Sequence, residues 1–88
     1  MEAAPYRWTI TRDHLDEGGE NSRVGTVGPS NADETLTTNP ARWAAYDDDG
    51  ECYYEGYLYG DFDGFEPLDD FCKPDSGCTE IKINGEWL

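Results

Sequence analysis

Two short runs hold side chains whose spacing could do chemistry: Asp47-Asp48-Asp49-Gly50-Glu51 and Asp61-Phe62-Asp63-Gly64. Closely spaced carboxylates beside glycine are the raw material of a calcium loop, because that hard ion collects roughly six to eight oxygen ligands. The EF-hand order of alternating acids, glycine and a closing glutamate is not met. Counting from Asp61, the acid at Asp63 is followed by Phe65 and Glu66, where an acid and a glycine belong. Weak calcium binding therefore stands only as an alternative. Cys52, Cys72, Cys78 and the single His14 supply the types for a zinc site, but structural zinc usually draws on close pairs such as C-x-x-C, and these ligands stand apart. The thiols read as small hydrophobes. No metal and no cofactor is expected.

Catalysis finds little support. Paired carboxylates are abundant, yet acid-base chemistry needs one of them singled out by burial or by a charged neighbour. The chain contains no G-x-S-x-G, H-E-x-x-H or P-loop sequence. His14, between Asp13 and Asp16 in a polar stretch, reads as a surface residue. No catalytic residue is assigned, and the expectation is a protein that is not an enzyme.

The charge itself is the dominant signal. Twenty acids against six lysines and arginines give a net charge of -14, and self-repulsion of that size opposes compaction. Direct binding of nucleic acid or of an anionic membrane surface is not expected, since both rely on basic side chains. The charge points to a cationic partner. Residues 47–70 concentrate it, with ten carboxylates and no lysine or arginine, whereas a surface that is merely soluble intersperses both signs. Anionic groups mounted on a strand and interleaved with tyrosine share the attributes of a nucleic-acid strand. A basic groove would be drawn to them by the field that steers its own substrate. The candidate contact surface is Asp47, Asp48, Asp49, Glu51, Glu55, Asp61, Asp63, Glu66, Asp69 and Asp70, flanked by Tyr53 and Tyr57.

The elements that must carry these residues are mostly strands. YRWTIT (6–11) alternates with period two, and VGTV (24–27) reads as a short strand able to pair with it. The stretch 13–22 reads as a loop. Ser30 followed by Asp33 and Glu34 resembles a helix start, and ADETLTTNPARW predicts one or two turns, weakened by Thr35, Thr37 and Thr38. Residues 42–46 and 51–59 flank Asp48-Asp49-Gly50 and predict a β-hairpin. Its second strand should pack Cys52, Tyr54, Gly56 and Leu58 inward and turn Glu51, Tyr53, Glu55, Tyr57 and Tyr59 outward. Phe62, Phe65, Leu68 and Phe71 predict an anchored loop with a turn of helix closing the core. CTEIKI followed by Asn84-Gly85 predicts a last hairpin.

The fold expected is mainly β, with α+β as the variant: a single domain over residues 1–88, built on an antiparallel sheet of four to five strands with one or two short helical turns. MEAAPYRWTI shows no basic region leading into an apolar run, and no window approaches a membrane span. Three cysteines cannot all pair within one chain, which fits a reducing compartment, with a Cys72–Cys78 bridge as the pairing to consider. A cytoplasmic protein, monomeric or dimeric, is expected.

Three segments also resemble small acidic proteins of bacteria and their mobile elements: the Y-D-D-D-G-x-x-Y-Y-E-G hairpin (Tyr46 to Gly56), F-x-P-L-D-D-F (Phe65 to Phe71) and G-C-T-E-I (Gly77 to Ile81). In size, charge and expected fold the chain is similar to phage-encoded anti-defence proteins, notably anti-CRISPR proteins that imitate nucleic acid. That likeness implies a non-enzymatic inhibitor acting in a bacterial host on the DNA- or RNA-binding groove of a CRISPR effector or another DNA-processing complex. It carries no residue roles. The alternative is an acidic intracellular interaction domain with no mimicry.

Overall fold

In the computed structural model, which describes residues 3–16 and 19–88, the alternating stretches become strands of one antiparallel sheet. They are β1 (Tyr6–Asp13), β2 (Val27–Gly28), β3 (Ala41–Tyr46), β4 (Cys52–Gly60), β5 (Glu80–Ile83) and β6 (Glu86–Trp87). Their spatial order is β2-β1-β4-β3-β5-β6. The mainly β expectation is met; the sheet has six strands because β2 and β6, two residues each, extend its edges. The segment 24–27 does pair with β1, but only Val27 and Gly28 form ladder pairs, with Thr9 and Trp8.

The long central strand is β4, paired with β1 on one side and β3 on the other. Trp8, Ile10, Trp43, Ala45, Tyr54, Leu58 and Ile81 project to one face and form the buried cluster. That face is covered by a π-helical turn (Leu68–Cys72) running into a short helix α1 (Lys73–Ser76), which contribute Leu68 and Cys72 to the cluster. Phe62 and Phe71 pack against the cluster as expected, but Phe65 is left exposed. At the centre, Trp43 Nε1 donates to the carbonyls of Thr9 and Tyr57 at 3.2 and 3.1 Å. The indole reaches them because Gly56 lies opposite: a Cβ there would collide with the carbonyl of Thr9 and crowd Trp43 Nε1.

Both predicted turns form. Asp47 closes the β3–β4 hairpin, its Oδ1 accepting from the amides of Asp49 and Glu51 at 2.9 and 2.8 Å, while Gly50 takes φ 82°. Asn84 and Gly85, at φ 51° and 84°, supply the two left-handed residues that a tight two-residue hairpin needs.

The helix expected near Ser30 does not form; residues 30–39 run through turns, bends and irregular chain, with Ala32 in an isolated parallel bridge to Ala4. Asp33 Oδ1 instead accepts from both the amide and the hydroxyl of Thr35, at 2.9 and 2.6 Å. This local bonding competes with helix, and three nearby threonines do not oppose it. The loop expected over 13–22 is organised by Asp13, a buried carboxylate that accepts from the amides of Leu15, Asp16 and Arg23. Its residues 17 and 18 lie outside the described set. Among the described residues, no helix is long and apolar enough to cross a membrane.

Candidate functional site

The register decides which side chains meet on the uncovered face of the sheet. Arg7 stands opposite Tyr59, Arg12 opposite Glu55, Arg42 opposite Tyr57, and Ala44 between Glu55 and Lys82. Four of the chain's six lysines and arginines thus gather on one face, although they are scattered in sequence. Arg7 lies 5.2 Å from the Tyr59 ring centre, and Lys82 sits 4.5 Å over Trp87 and 5.3 Å over Tyr46. Such cation–π contacts hold the aromatic rings and the charges in one layer. Two adjoining shallow depressions share Arg42 and Glu55 as borders: one of about 210 Å³ opens over Gly56 beside Arg12 and Tyr57, the other of about 200 Å³ over the small Ala44 beside Tyr46 and Lys82.

The carboxylates predicted to form one surface are therefore divided. Asp48, Asp49 and Glu51 are exposed at the hairpin tip, while Asp47, only 8% exposed, is taken up by the turn. The amides of the turn, Glu51 first, hold the Asp47 carboxyl below its usual range. Asp61 and Asp63 lie beyond the opposite end of β4, roughly 30 Å from the tip at strand rise. Asp69 and Asp70 lie on the π-helical turn, on the far side of the sheet from the cations. Asp70 Oδ2 accepts from Tyr6 Oη at 2.7 Å and Trp8 Nε1 at 3.2 Å, fastening that turn to β1. Glu66 accepts from the amides of Asp63 and Gly64, both at 2.7 Å.

Of the predicted surface, Glu55 alone sits among the cations. Its Oε2 is 2.6 Å from His14 Nε2 and 4.0 Å from Arg12. His14 is no isolated surface residue: its amide donates to Tyr53 O at 2.8 Å, which fixes it beside β4. Tyr57 is exposed on the same face, but Tyr53 is not. The ladder skips a residue between the pairs Ala45–Tyr54 and Tyr46–Cys52. This bulge packs Tyr53 against the core and brings the Cys52 thiol round to the face of Glu55. The expected inward Cys52 and outward Tyr53 are thus exchanged.

The remaining thiols, Cys72 and Cys78, are buried and free. A hydrogen bond to Cys78, together with burial, pushes the Cys72 thiol well above its usual range. The zinc set of three cysteines with His14 is not assembled among the described residues. Sequence reasoning missed the cationic face because its members recur at no regular interval; the signal available was that Arg7, Arg42 and Lys82 each fall at an outward position of an alternating strand. No protein-family model, curated protein or solved structure matches this chain.

Proposed function

We propose that this chain is a non-enzymatic binding protein that presents its acidic side to the basic nucleic-acid groove of another protein, and so acts as an inhibitor of the anti-defence kind in the bacterial cytoplasm. The observation that supports this reading is the segregation of charge. Arg7, Arg12, Arg42 and Lys82 are drawn to the open face of the sheet, while Asp61, Asp63 and Asp69 remain exposed on the loop and helical layer that cover the other face. A chain of net charge -14 then keeps two of its six lysines and arginines, Lys73 and Arg23, on the helical side, and Arg23 is taken up by Asp75 of α1 at 3.5 Å. Fixed charges on ordered elements give a directional field that steers association.

The test is a salt series on a basic partner recovered from bacterial lysate, with duplex DNA as competitor. Displacement by DNA and steep loss of binding with ionic strength are expected. Replacing Asp48, Asp49, Asp61, Asp63 and Asp69 together by lysine should abolish binding, and retained binding would overturn the proposal.

A second reading has its own support. The depressions beside Arg12, Arg42, Lys82 and Tyr57 suit an acidic peptide segment, which would make this an interaction domain without mimicry. Arg12→Glu with Arg42→Glu distinguishes the two, since it removes binding only if the sheet face is the contact.

A further inference from the structure

We propose that His14, Cys52 and Glu55 form a binding site for a divalent transition-metal ion, zinc being the ion their chemistry fits best. One ligand atom from each lies within 4.8 Å of the others. Tetrahedral zinc at the usual bond lengths, about 2.0 Å to nitrogen or oxygen and 2.3 Å to sulfur, holds its ligand atoms roughly 3 to 4 Å apart. Closing this cluster onto an ion therefore asks for small side-chain rotations, with His14 Nε2 and Glu55 Oε2 moving slightly apart from their 2.6 Å contact. The mixed set of thiolate, imidazole and carboxylate selects zinc or a neighbouring transition metal over calcium and magnesium, which favour oxygen alone.

The backbone places these ligands deliberately. Residues 52 and 55 of an unbroken strand would point to opposite faces. The bulge at Tyr53 reverses that, and the carbonyl of Tyr53 also receives the amide of His14. A second slip, between Ile10 and Arg12 of β1, turns the even positions that follow it, Arg12 and His14, toward the face of Glu55. Two irregularities thus position the three ligands, and bulges are used in this way to re-aim side chains beside functional sites. On binding, the Cys52 thiol gives up its proton to solvent, the proton between His14 Nε2 and Glu55 leaves as well so that the neutral imidazole, protonated at Nδ1, binds through the Nε2 lone pair, and the thiolate with the carboxylate balances the ion's two charges. Water fills the fourth position. Arg12, whose Nη1 lies 4.0 Å from Glu55 Oε2, opposes the ion's charge, but its side chain is 65% exposed and has room to turn away. The competing account is a His14–Glu55 ion pair with Cys52 as a bystander.

The experiment titrates the whole chain with cobalt(II) as the spectroscopic probe and then with zinc as competitor. Expected are saturation at one equivalent, thiolate-to-cobalt charge transfer, tetrahedral d–d bands and displacement by zinc. Cys52→Ser should abolish the charge transfer without loss of the circular dichroism of the fold. Glu55→Gln should weaken binding by at least about tenfold, since even partners that only orient a ligand are worth that much. Absence of charge transfer in the native chain overturns the site. So does its persistence in Cys52→Ser, which would assign it to Cys72 or Cys78, and so does binding unchanged in both variants, which would assign it to the surface carboxylates.

Discussion

Removing one oxygen atom from Tyr54 should loosen the helical layer from the sheet. The Tyr54 ring is buried on the inner face of β4, and its hydroxyl donates to Asp75 Oδ2 at 2.8 Å while lying 2.6 Å from Ser76 Oγ. These two residues end α1, so the hydroxyl bonds helix to strand across a long stretch of sequence. A hydrogen bond to a charged acceptor contributes about 1.5 to 3 kcal/mol, and partial solvation of Asp75 reduces that to about 1 to 2 kcal/mol for Tyr54→Phe. A domain of this size has about 5 to 13 kcal/mol in all, so Tm should fall by roughly 5 to 15 °C.

The pH dependence follows from Asp75. Burial raises its carboxyl, but the hydrogen bonds from Tyr54, Ser76 and Arg23 outweigh that and leave it below its ordinary 3.8. A depressed carboxylate contributes stability that is full at neutral pH and is lost as the pH falls through the ordinary value toward the folded one. Urea unfolding of both forms at several pH values should therefore show a gap at pH 7 that narrows below pH 3.8. Equal midpoints at neutrality, or a gap undiminished in acid, would refute the reasoning.

Three further outcomes are expected. Gly56→Ala should cost more than about 4 kcal/mol and leave little folded protein by circular dichroism, because the added methyl collides with the backbone of Thr9. Asp70→Ala should lower stability by about 1 to 3 kcal/mol through its lost bonds to Tyr6 and Trp8, whereas the neighbouring exposed Asp69→Ala should leave Tm unchanged; a paired thermal melt checks both. Burial, with Glu55 nearby, pushes the Cys52 thiol up to about 11. In the metal-free protein its alkylation by iodoacetamide, followed by mass spectrometry, should therefore be slow at pH 8 and accelerate as the thiolate forms toward pH 11.

What could be read from the sequence was whatever local chemistry decides. The alternation of Trp8 and Ile10 with polar neighbours, the Asp-Asp-Gly and Asn-Gly turns, and the apolar spacing ending at Leu68 and Phe71 each act within a few residues, and each appears in the fold. The helix near Ser30 was misread because a capping pattern and a self-bonded Asp33–Thr35 turn look alike until competing bonds are weighed. The bulge at Tyr53 was illegible for a different reason. An unpaired residue is a property of two strands in register, and neither strand alone records it. From that one residue followed the misplaced Cys52 and Tyr53, and a matching slip between Ile10 and Arg12 of β1 brought His14 into the unforeseen company of Glu55. The division of the acids arose in the same way, since only the ladder collects Arg7, Arg12, Arg42 and Lys82 on a shared face.

β1 meets its two neighbours at very different distances along the chain: β2 follows after one loop, whereas the longer pairing with β4 waits for residues 54–60. β4 brings Leu58 opposite Trp8 and Gly56 opposite Ile10, and Phe71 packs on Trp8 from a segment later still, so both side chains keep an open flank until those residues exist. Closing so long a loop is entropically costly and slows folding. A nascent fragment that stops within β4 would expose those two apolar side chains to chaperones and proteases.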